Sequence, residues 1–191
     1  KIYKKYLEQL LKENKAYYCY CTKEDLEAQK QAMLGQGLQP KYNGHCRPDV
    51  SGRASLNGAG RNTAPPAGRK SEVIRFKTPE TKVEFSDLVR GKVSFDASLF
   101  GDIVIAKDVG TPLYNFAVVV DDEEMKITHV IRGEDHLSNT PKQILFQRAL
   151  GFREPIYAHI PLILNPDRSK MSKRFSDAAV SEYKKQGYMP E

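Results

Sequence analysis

The segment from residue 127 to residue 164 limits the possible folds of this chain most strongly, because two apolar runs flank a well-marked helix. Residues 138–141 read S-N-T-P, which supplies a capping side chain and a proline for the first helical turn, and Gly151 ends the helix. The apolar runs Ile127–Ile131 and Ile156–Leu164 predict buried strands on either side. A strand, a helix and a second strand in this order form a parallel crossover, so we predict an α/β fold.

The composition of the 191 residues is that of an ordinary globular protein, with 40% hydrophobic and 28% charged residues. No apolar run reaches the roughly 18 residues of a membrane span, and the first residues carry no apolar signal-peptide region. Three cysteines without a secretory signal do not indicate a disulfide framework. We therefore expect a cytoplasmic or organelle-matrix protein without a membrane partner, and the net charge of +6 is compatible with binding to nucleic acid.

The part of the chain before residue 110 has a different pattern, in which helices are followed by several short strands. Helical apolar spacing predicts a helix over residues 2–13, and Thr22 with Asp25 forms a capping pattern for a second helix. Between residues 49 and 70 the composition shifts to glycine, proline and small polar residues, which predicts a mobile loop. This basic loop could contact RNA, although an unrestrained insertion is the commoner interpretation. The predicted strands, which together indicate a compact α+β module, lie at residues 71–77, 83–89, 92–96 and 102–107.

A strongly basic loop follows the last apolar run, Ile160–Leu164, which we predict to be a short buried strand. Residues 165–174 read N-P-D-R-S-K-M-S-K-R, with four cations, two serine hydroxyls and one carboxylate. The proline, aspartate and first serine predict a turn. A basic loop that leaves the carboxyl end of a strand lies where an α/β sheet binds ligands, and lysine ammonium groups suit phosphate. A solvated basic turn is the alternative, and composition alone favours it.

A second polar group lies between the first strand of the crossover and its helix. Glu134, Asp135 and His136 follow the strand directly, and carboxylates at such a strand end can bind ribose hydroxyls. Arg132 lies at the same strand end, and a guanidinium is the preferred bidentate partner of a carboxylate. Helix capping and charge balance with Arg132 or Lys142 are the structural alternative.

Three motifs in a fixed order give the chain a specific resemblance to a known family. Residues 170–174 read K-M-S-K-R, which resembles the K-M-S-K-S loop of class I aminoacyl-tRNA synthetases. Residues 111–116 (T-P-L-Y-N-F) and 130–136 (V-I-R-G-E-D-H) resemble the matching segments of bacterial-type glutamyl-tRNA synthetases. The resemblance extends over nearly the whole chain and is weakest at residues 51–69.

This resemblance implies a role for each residue of the two upstream motifs. Arg132 would bind the γ-carboxylate of glutamate, and Tyr114 would form a hydrogen bond with the amino acid. Glu134, Asp135 and His136 would lie beside ATP and the 3′-terminal adenosine of the tRNA. A structural ion pair between Arg132 and Glu134, with Tyr114 in the core, is the alternative.

The resemblance also implies the reaction, in which the carboxylate of the amino acid attacks the α-phosphorus of ATP and releases pyrophosphate. Lys173 would be the main transition-state cation, assisted by Lys170 and Ser172, because a mobile ammonium stabilises the charge that grows on the leaving pyrophosphate. Magnesium would screen the phosphates. Leu162 and Ile163 would border the adenine through their backbone groups.

Cys19, Cys21 and Cys46 resemble part of the zinc site that related synthetases carry in their inserted module. The fourth ligand would lie two residues after Cys46, but Pro48 occupies that position and cannot bind a metal. His45 is adjacent and would require a different geometry. Because structural zinc normally takes four ligands, the sequence favours buried or unligated thiols over zinc.

The fold class implied by the resemblance is α/β, with the second half of a Rossmann-type nucleotide-binding fold and an inserted α+β acceptor-binding module. Residues 1–15 would end the first Rossmann half, and residues 16–110 would form the inserted module. Residues 111–165 would form the second Rossmann half, and residues 166–191 the K-M-S-K-R loop and the start of the stem-contact region. Residues 175–176 depart from the family's His-Gly, which leaves the resting conformation of this loop open.

No H-I-G-H-like motif occurs in the chain, because its four histidines are isolated from one another. We therefore expect an internal part of a longer enzyme, without the amino-terminal signature and the anticodon-binding region, that does not form glutamyl-adenylate by itself.

The expected partners are tRNA(Glu), L-glutamate and ATP, and we expect a monomer. Two other functions stay open. One is a non-catalytic tRNA-binding module, which would bind RNA with a steep salt dependence and without an effect of glutamate or ATP. The other is a glutamyl-queuosine-type paralogue that modifies a tRNA base, or a glutaminyl enzyme. The motifs at residues 132–135 and 170–174 together favour the glutamyl enzyme.

Overall fold

The computed structural model describes residues 1–48, 73–165, 168 and 180–189. The helices in this part are α1 (Ile2–Lys12), α2 (Lys23–Gly35), α3 (Tyr114–Glu124), α4 (Thr140–Leu150) and α5 (Val180–Lys185). The strands are β1 (Ala16–Cys19), β2 (Val73–Phe76), β3 (Lys82–Asp87), β4 (Gly91–Asp96), β5 (Ile103–Asp108), β6 (Thr111–Pro112), β7 (His129–Gly133) and β8 (Ile156–Ile160). Two short 3-10 helices lie at Ala97–Phe100 and Glu134–His136.

These strands form two four-stranded sheets within the described residues. The first sheet has the order β1-β2-β5-β6, and its strands are antiparallel. The second has the order β4-β3-β8-β7, in which β3 and β4 form an antiparallel hairpin while β8 pairs in parallel with β3 and β7. The parallel pairing of β7 and β8 follows from the helix α4 that connects them, so the predicted crossover is confirmed.

The ends of α2 and α4 agree with most of the capping residues predicted from the sequence. In α4, Pro141 lies in the first turn, and Gly151 ends the helix in the left-handed conformation with a φ of 73°. The side-chain cap predicted for α4 is absent, because Asn139 forms no capping hydrogen bond. In α2 the predicted capping box is confirmed: the backbone N–H of Asp25 donates to the Thr22 hydroxyl, and that of Thr22 donates to the Asp25 carboxylate.

One hydrophobic core contains residues from both sheets and from α1, α3 and α4. Phe146 lies at its centre and packs edge-to-face against Phe76, with ring centroids 5.0 Å apart, and against Phe116 at 6.2 Å. Leu7 and Leu10 anchor α1 in the same core and are fully buried. Each of these side chains contributes about 1.5–3 kcal/mol. The crossover that carries the predicted site is therefore packed into a shared core with the first helix.

Three predicted strands differ from the structure. The strand predicted at residues 83–89 ends at Asp87, and Leu88 and Val89 are exposed in the turn that follows. β7 covers residues 129–133 rather than 127–131, and Ile131 is 67% exposed. The expected burial is wrong because β7 is the terminal strand of its described sheet, with β8 as its neighbour. β8 ends at Ile160, so the predicted buried strand over residues 160–164 is also wrong. Pro161 has no N–H for a sheet ladder, and Ile163 is 73% exposed.

The division predicted at residue 110 does not separate the two sheets. β5 and β6 pair across it through Ala106 and Pro112, and β3 of the earlier segment pairs with β8 of the later one. The division into functional modules stays a prediction. The loop predicted at residues 49–70 lies outside the described residues. Among the residues that are described, none of the helices is both long enough and apolar enough to cross a membrane.

Candidate functional site

The described residues of the two upstream motifs lie at the carboxyl ends of the parallel strands β7 and β8. Arg132 in β7 pairs in register with His159 in β8. The 3-10 turn Glu134–His136 follows β7 directly and precedes α4. Tyr114 begins α3, and its ring centroid lies 6.1 Å from that of His136. The structure therefore brings the two upstream motifs to one edge of the sheet.

The guanidinium of Arg132 is held by three side-chain acceptors. Its Nε donates to Nε2 of His159 at 3.2 Å, and its Nη2 donates to Thr140 Oγ1 at 2.7 Å and Gln143 Oε1 at 2.8 Å. A guanidinium has five N–H groups, so the two on Nη1 have no hydrogen-bond partner among the described residues, although the Asp122 carboxyl is close enough to interact with the charge of Arg132. The alternative of an Arg132–Glu134 ion pair is wrong.

Behind Arg132 lies a buried pair, Asp87 and His159, that the sequence did not reveal. Nδ1 of His159 lies 2.6 Å from Oδ2 of Asp87, and both side chains are fully enclosed. Burial by itself raises the pKa of the Asp87 carboxyl, but hydrogen bonds from the His159 ring and from three backbone amides outweigh it and lower the pKa to about 2. The two residues lie 72 positions apart, and the pairing of β3 with β8 brings them together.

Lowering the pH from about 4 to about 2 is expected to remove roughly 2 kcal/mol of stability through Asp87 alone. The folded-state pKa of Asp87 lies below its ordinary value. Its contribution is therefore complete above the unfolded-state pKa and is lost as the pH falls through the folded-state pKa. Urea unfolding of the wild-type chain and of Asp87→Asn should show a difference in free energy that shrinks towards low pH. A difference that stays constant over this range would contradict the assignment.

Glu134 connects three segments around the site. One carboxylate oxygen pairs with the guanidinium of Arg90 in the β3–β4 turn, and the other accepts the backbone N–H of Leu162 at 3.3 Å. For Glu134, the charge balance with Arg132 or Lys142 considered from the sequence is therefore wrong, because Arg90 is the partner. The bond to Leu162 also fixes the segment that leads from β8 towards the basic loop.

Gly133 permits a close approach at the end of β7. A Cβ atom at this position would lie 2.6 Å from Oδ1 of Asp135 and 3.5 Å from the side chain of Leu162. The Asp135 carboxylate thus lies against the strand end, and a larger residue at position 133 would displace it. Asp135 and Leu162, both assigned to the nucleotide site, flank the same glycine.

Tyr114 and Ile163 present their side chains to solvent. Tyr114 is 55% exposed, so the alternative that places it in the core is wrong. Both side chains are accessible to a ligand at this edge. Lys170, Ser172 and Lys173 lie outside the described residues, so their catalytic roles stay predictions.

The three cysteines converge on one point in the structure. The sulfur atoms of Cys19, Cys21 and Cys46 all lie within 4.8 Å of one another. The Tyr42 hydroxyl lies 3.5 Å from the Cys19 sulfur and 3.6 Å from the Cys21 sulfur, and it accepts the backbone N–H of Cys46 at 2.8 Å. The sequence pattern did not indicate this oxygen, because the family spacing predicts a ligand two residues after Cys46, whereas Tyr42 lies four residues before it.

The thiols of Cys19 and Cys46 have pKa values that are shifted in opposite directions. The pKa of the Cys19 thiol is lowered, mainly by its hydrogen bond with Cys46. Burial opposes this effect, and hydrogen bonds with Tyr42 and Arg75 add to it. The hydrogen bond with Cys19 and burial raise the pKa of the Cys46 thiol. A thiolate is the form that binds zinc. Three thiols match three of the four ligands of a structural zinc ion. Burial and the hydrogen bond with Cys19 raise the pKa of the Tyr42 hydroxyl, so Tyr42 would offer a neutral oxygen as the fourth group. The sequence preference for thiols without zinc stays untested.

Zinc binding is expected to depend on Cys46. The wild-type chain should carry about one zinc ion, and Cys46→Ser should lower the affinity at least about 100-fold, because one thiolate ligand is lost. Competition with a chromogenic chelator measures the affinity. Tyr18→Phe serves as the control, because it alters a tyrosine on β1 that is not one of the four groups of the cluster. A wild-type chain without zinc, or Cys46→Ser with unchanged affinity, would rule out this metal centre.

The sequence of the chain matches a known class of enzymes. All residues, 1–191, match the family model described as "tRNA synthetases class I (E and Q), catalytic domain". The chain belongs to this family, and the resemblance found from the three motifs is confirmed.

The similar proteins within this class are glutamate–tRNA ligases. Glutamate–tRNA ligase 1 of Caldicellulosiruptor saccharolyticus is 52% identical over 191 residues, which cover 100% of this chain and 38% of the relative. The glutamate–tRNA ligase of Desulfitobacterium hafniense is 50% identical with the same coverage. A crystal structure of a glutamate tRNA ligase from Elizabethkingia meningosepticum in complex with its amino acid has a TM-score of 0.76 and 36% identity, and covers 98% of this chain and 36% of that one. The chain therefore spans somewhat more than a third of the relatives it matches.

Proposed function

We propose that this chain forms the glutamate- and nucleotide-binding part of a ligase that activates glutamate with ATP and transfers it to the 3′ end of tRNA(Glu). The observation that carries the proposal is Arg132 at the carboxyl end of β7, with two N–H groups on Nη1 that have no hydrogen-bond partner among the described residues. An α/β sheet binds ligands at this edge. The relatives that match the full chain at 50% and 52% identity are glutamate–tRNA ligases, which supports glutamate as the amino acid.

Arg132 and Tyr114 are the residues proposed to recognise glutamate. Nη1 of Arg132 donates to the γ-carboxylate, and a charge-assisted hydrogen bond of this kind is about twice as strong as a neutral one. The exposed hydroxyl of Tyr114 forms a hydrogen bond with the amino acid. The contact between the rings of Tyr114 and His136 places this tyrosine beside the turn proposed for ATP.

The turn Glu134–His136 and the segment after β8 are proposed to hold the nucleotide and the 3′-terminal adenosine. Asp135 lies against Gly133 at the strand end, where a carboxylate can accept hydrogen bonds from ribose hydroxyls. The Glu134 carboxylate accepts a hydrogen bond from the backbone N–H of Leu162 and so fixes this segment. Leu162 and Ile163 then border the adenine.

The chemical step is proposed to depend on the basic loop. The carboxylate oxygen of glutamate forms a bond to the α-phosphorus of ATP as the bond to the bridging oxygen breaks, and pyrophosphate leaves with the electron pair. Lys173 stabilises the growing negative charge, and Lys170 and Ser172 assist. Magnesium bound to ATP supplies additional charge neutralisation for the phosphates.

A chimeric ligase tests this function, with this chain in place of the matching 38% of the Caldicellulosiruptor saccharolyticus relative. ATP–pyrophosphate exchange that depends on glutamate is expected, together with charging of tRNA(Glu). Glutamine and aspartate serve as comparison substrates. A chimera that unfolds as cooperatively as the relative but catalyses no exchange would refute the proposal. Binding of tRNA without any effect of glutamate would instead support a non-catalytic module.

A further inference from the structure

We propose that Asp87 and His159 are positioning residues for glutamate recognition, because together they hold Arg132 in the orientation that leaves Nη1 for the ligand carboxylate. This inference rests on the proposed function of Arg132. Asp87 and His159 lie outside the motifs that predicted the site, and both are buried. They therefore act through Arg132 and not by contact with the ligand.

The backbone determines the orientation of the Asp87 carboxylate. Its Oδ1 accepts the N–H groups of Val89 at 3.0 Å, Arg90 at 2.9 Å and His159 at 3.2 Å. The other oxygen, Oδ2, lies 2.6 Å from Nδ1 of His159. Because an ionised carboxylate accepts hydrogen bonds and cannot donate them, Nδ1 carries the proton in this contact.

His159 in turn presents an unprotonated Nε2 to Arg132. A neutral imidazole with its proton on Nδ1 has a lone pair on Nε2, and Nε of Arg132 donates to this atom at 3.2 Å. In the other tautomer the Nε2–H would face the Nε–H of Arg132, and only Thr140 Oγ1, which lies 3.0 Å from Nε2, could accept it. Asp87 thus selects the tautomer, in the way that outer partners select the tautomer of functional histidines.

Two residues of α4 complete the orientation of the guanidinium. Thr140 and Gln143 accept hydrogen bonds from Nη2 of Arg132. The amide nitrogen of Gln143 donates to Asn115 Oδ1 at 3.0 Å, which leaves its oxygen for Arg132. The guanidinium can rotate only by breaking these partly buried hydrogen bonds. The conformational entropy of this arginine side chain is therefore lost during folding and not during ligand binding.

Asp87→Asn in the 191-residue chain should change the tautomer of His159 with little change in volume. The three backbone N–H groups keep the asparagine Oδ1 on their side, so Nδ2 faces the histidine and donates to its Nδ1. Nitrogen-15 NMR of the imidazole is expected to show protonated Nδ1 in the wild type and protonated Nε2 in the variant. Protonated Nε2 in the wild-type chain would overturn the inference.

Two amide replacements of His159 in the chimeric ligase separate orientation from stability. The glutamine oxygen of His159→Gln can reach the position of Nε2, whereas the asparagine of His159→Asn reaches only the position of Nδ1. We expect His159→Asn and Asp87→Asn to raise KM for glutamate about tenfold or more, with KM for ATP unchanged and a smaller change in kcat. His159→Gln should recover part of this loss. A purely structural role predicts the opposite order, because asparagine keeps the bond to Asp87.

Tyr157→Phe is the matched control on the same strand. It removes a buried hydroxyl that bonds to Gln147 at 3.1 Å, and it leaves the donors and acceptors of Arg132 intact. Stability should fall while KM for glutamate stays unchanged. Unchanged KM in His159→Asn and Asp87→Asn would overturn the inference, whereas a wild-type chimera without glutamate-dependent exchange would refute the proposed function. If the chimeric variants do not fold, the tautomer measured in the chain decides.

Discussion

Replacing Arg132 by alanine in the chimeric ligase is expected to lower kcat/KM for glutamate about 30- to 5,000-fold, mainly through KM. Removing the charged partner of a buried carboxylate costs about 2–5 kcal/mol. The same change leaves acceptors on Thr140 and Gln143 without the N–H groups that they bind in the folded protein. Pyrophosphate exchange at varied glutamate concentration measures the effect. KM for ATP should change little, because Arg132 is assigned to the amino acid alone.

Arg132→Lys is a second test of the proposed interaction between Arg132 and the γ-carboxylate of glutamate. An ammonium is a point charge that cannot reach all the partners of a planar guanidinium. The preference for glutamate over glutamine should therefore shrink even though the positive charge is kept. Arg153→Ala, at an exposed arginine before β8, is the control and should behave like the wild type. Unchanged glutamate kinetics in both Arg132 variants would contradict the assignment.

Replacing Lys173 by alanine is expected to slow adenylate formation about 30- to 1,000-fold, which corresponds to about 2–4 kcal/mol of transition-state stabilisation. The lysine is assigned to charge that develops on the leaving pyrophosphate, so kcat should fall while KM for glutamate changes little. Rapid-quench measurement of glutamyl-adenylate separates this step from tRNA charging. Lys170→Ala is expected to show a smaller loss, because Lys170 is assigned an assisting role.

Lys184→Ala provides a matched control for the loss of one positive charge. Lys184 is exposed in the last turn of α5, and its replacement should leave adenylate formation unchanged. If Lys173→Ala weakens RNA binding in a salt-dependent way and leaves adenylate formation intact, the non-catalytic RNA-binding module becomes the better description of this chain.

The cysteine cluster shows where reasoning from sequence spacing stops. The sequence identified the three thiols, yet the fourth polar group is the hydroxyl of Tyr42, which lies four residues before Cys46 and not two residues after it. Its hydroxyl meets Cys19 and Cys21 only because the chain folds the segment around Tyr42 back against β1. The same holds for Glu134, whose partner Arg90 lies 44 positions away. A local pattern predicts that a charge is present, but the partner depends on which segments the fold brings together.

The sequence by itself determined the crossover, the ends of α4 at Pro141 and Gly151, and the order of the motifs, because proline, glycine and apolar periodicity act within a few residues. It also placed Arg132 at a strand end. The tertiary structure alone decided how Arg132 is held, since its environment is built from β3, β8 and α4. Asp87 reaches His159 through the parallel pairing of β3 and β8, and that long-range pairing has no signature within either strand.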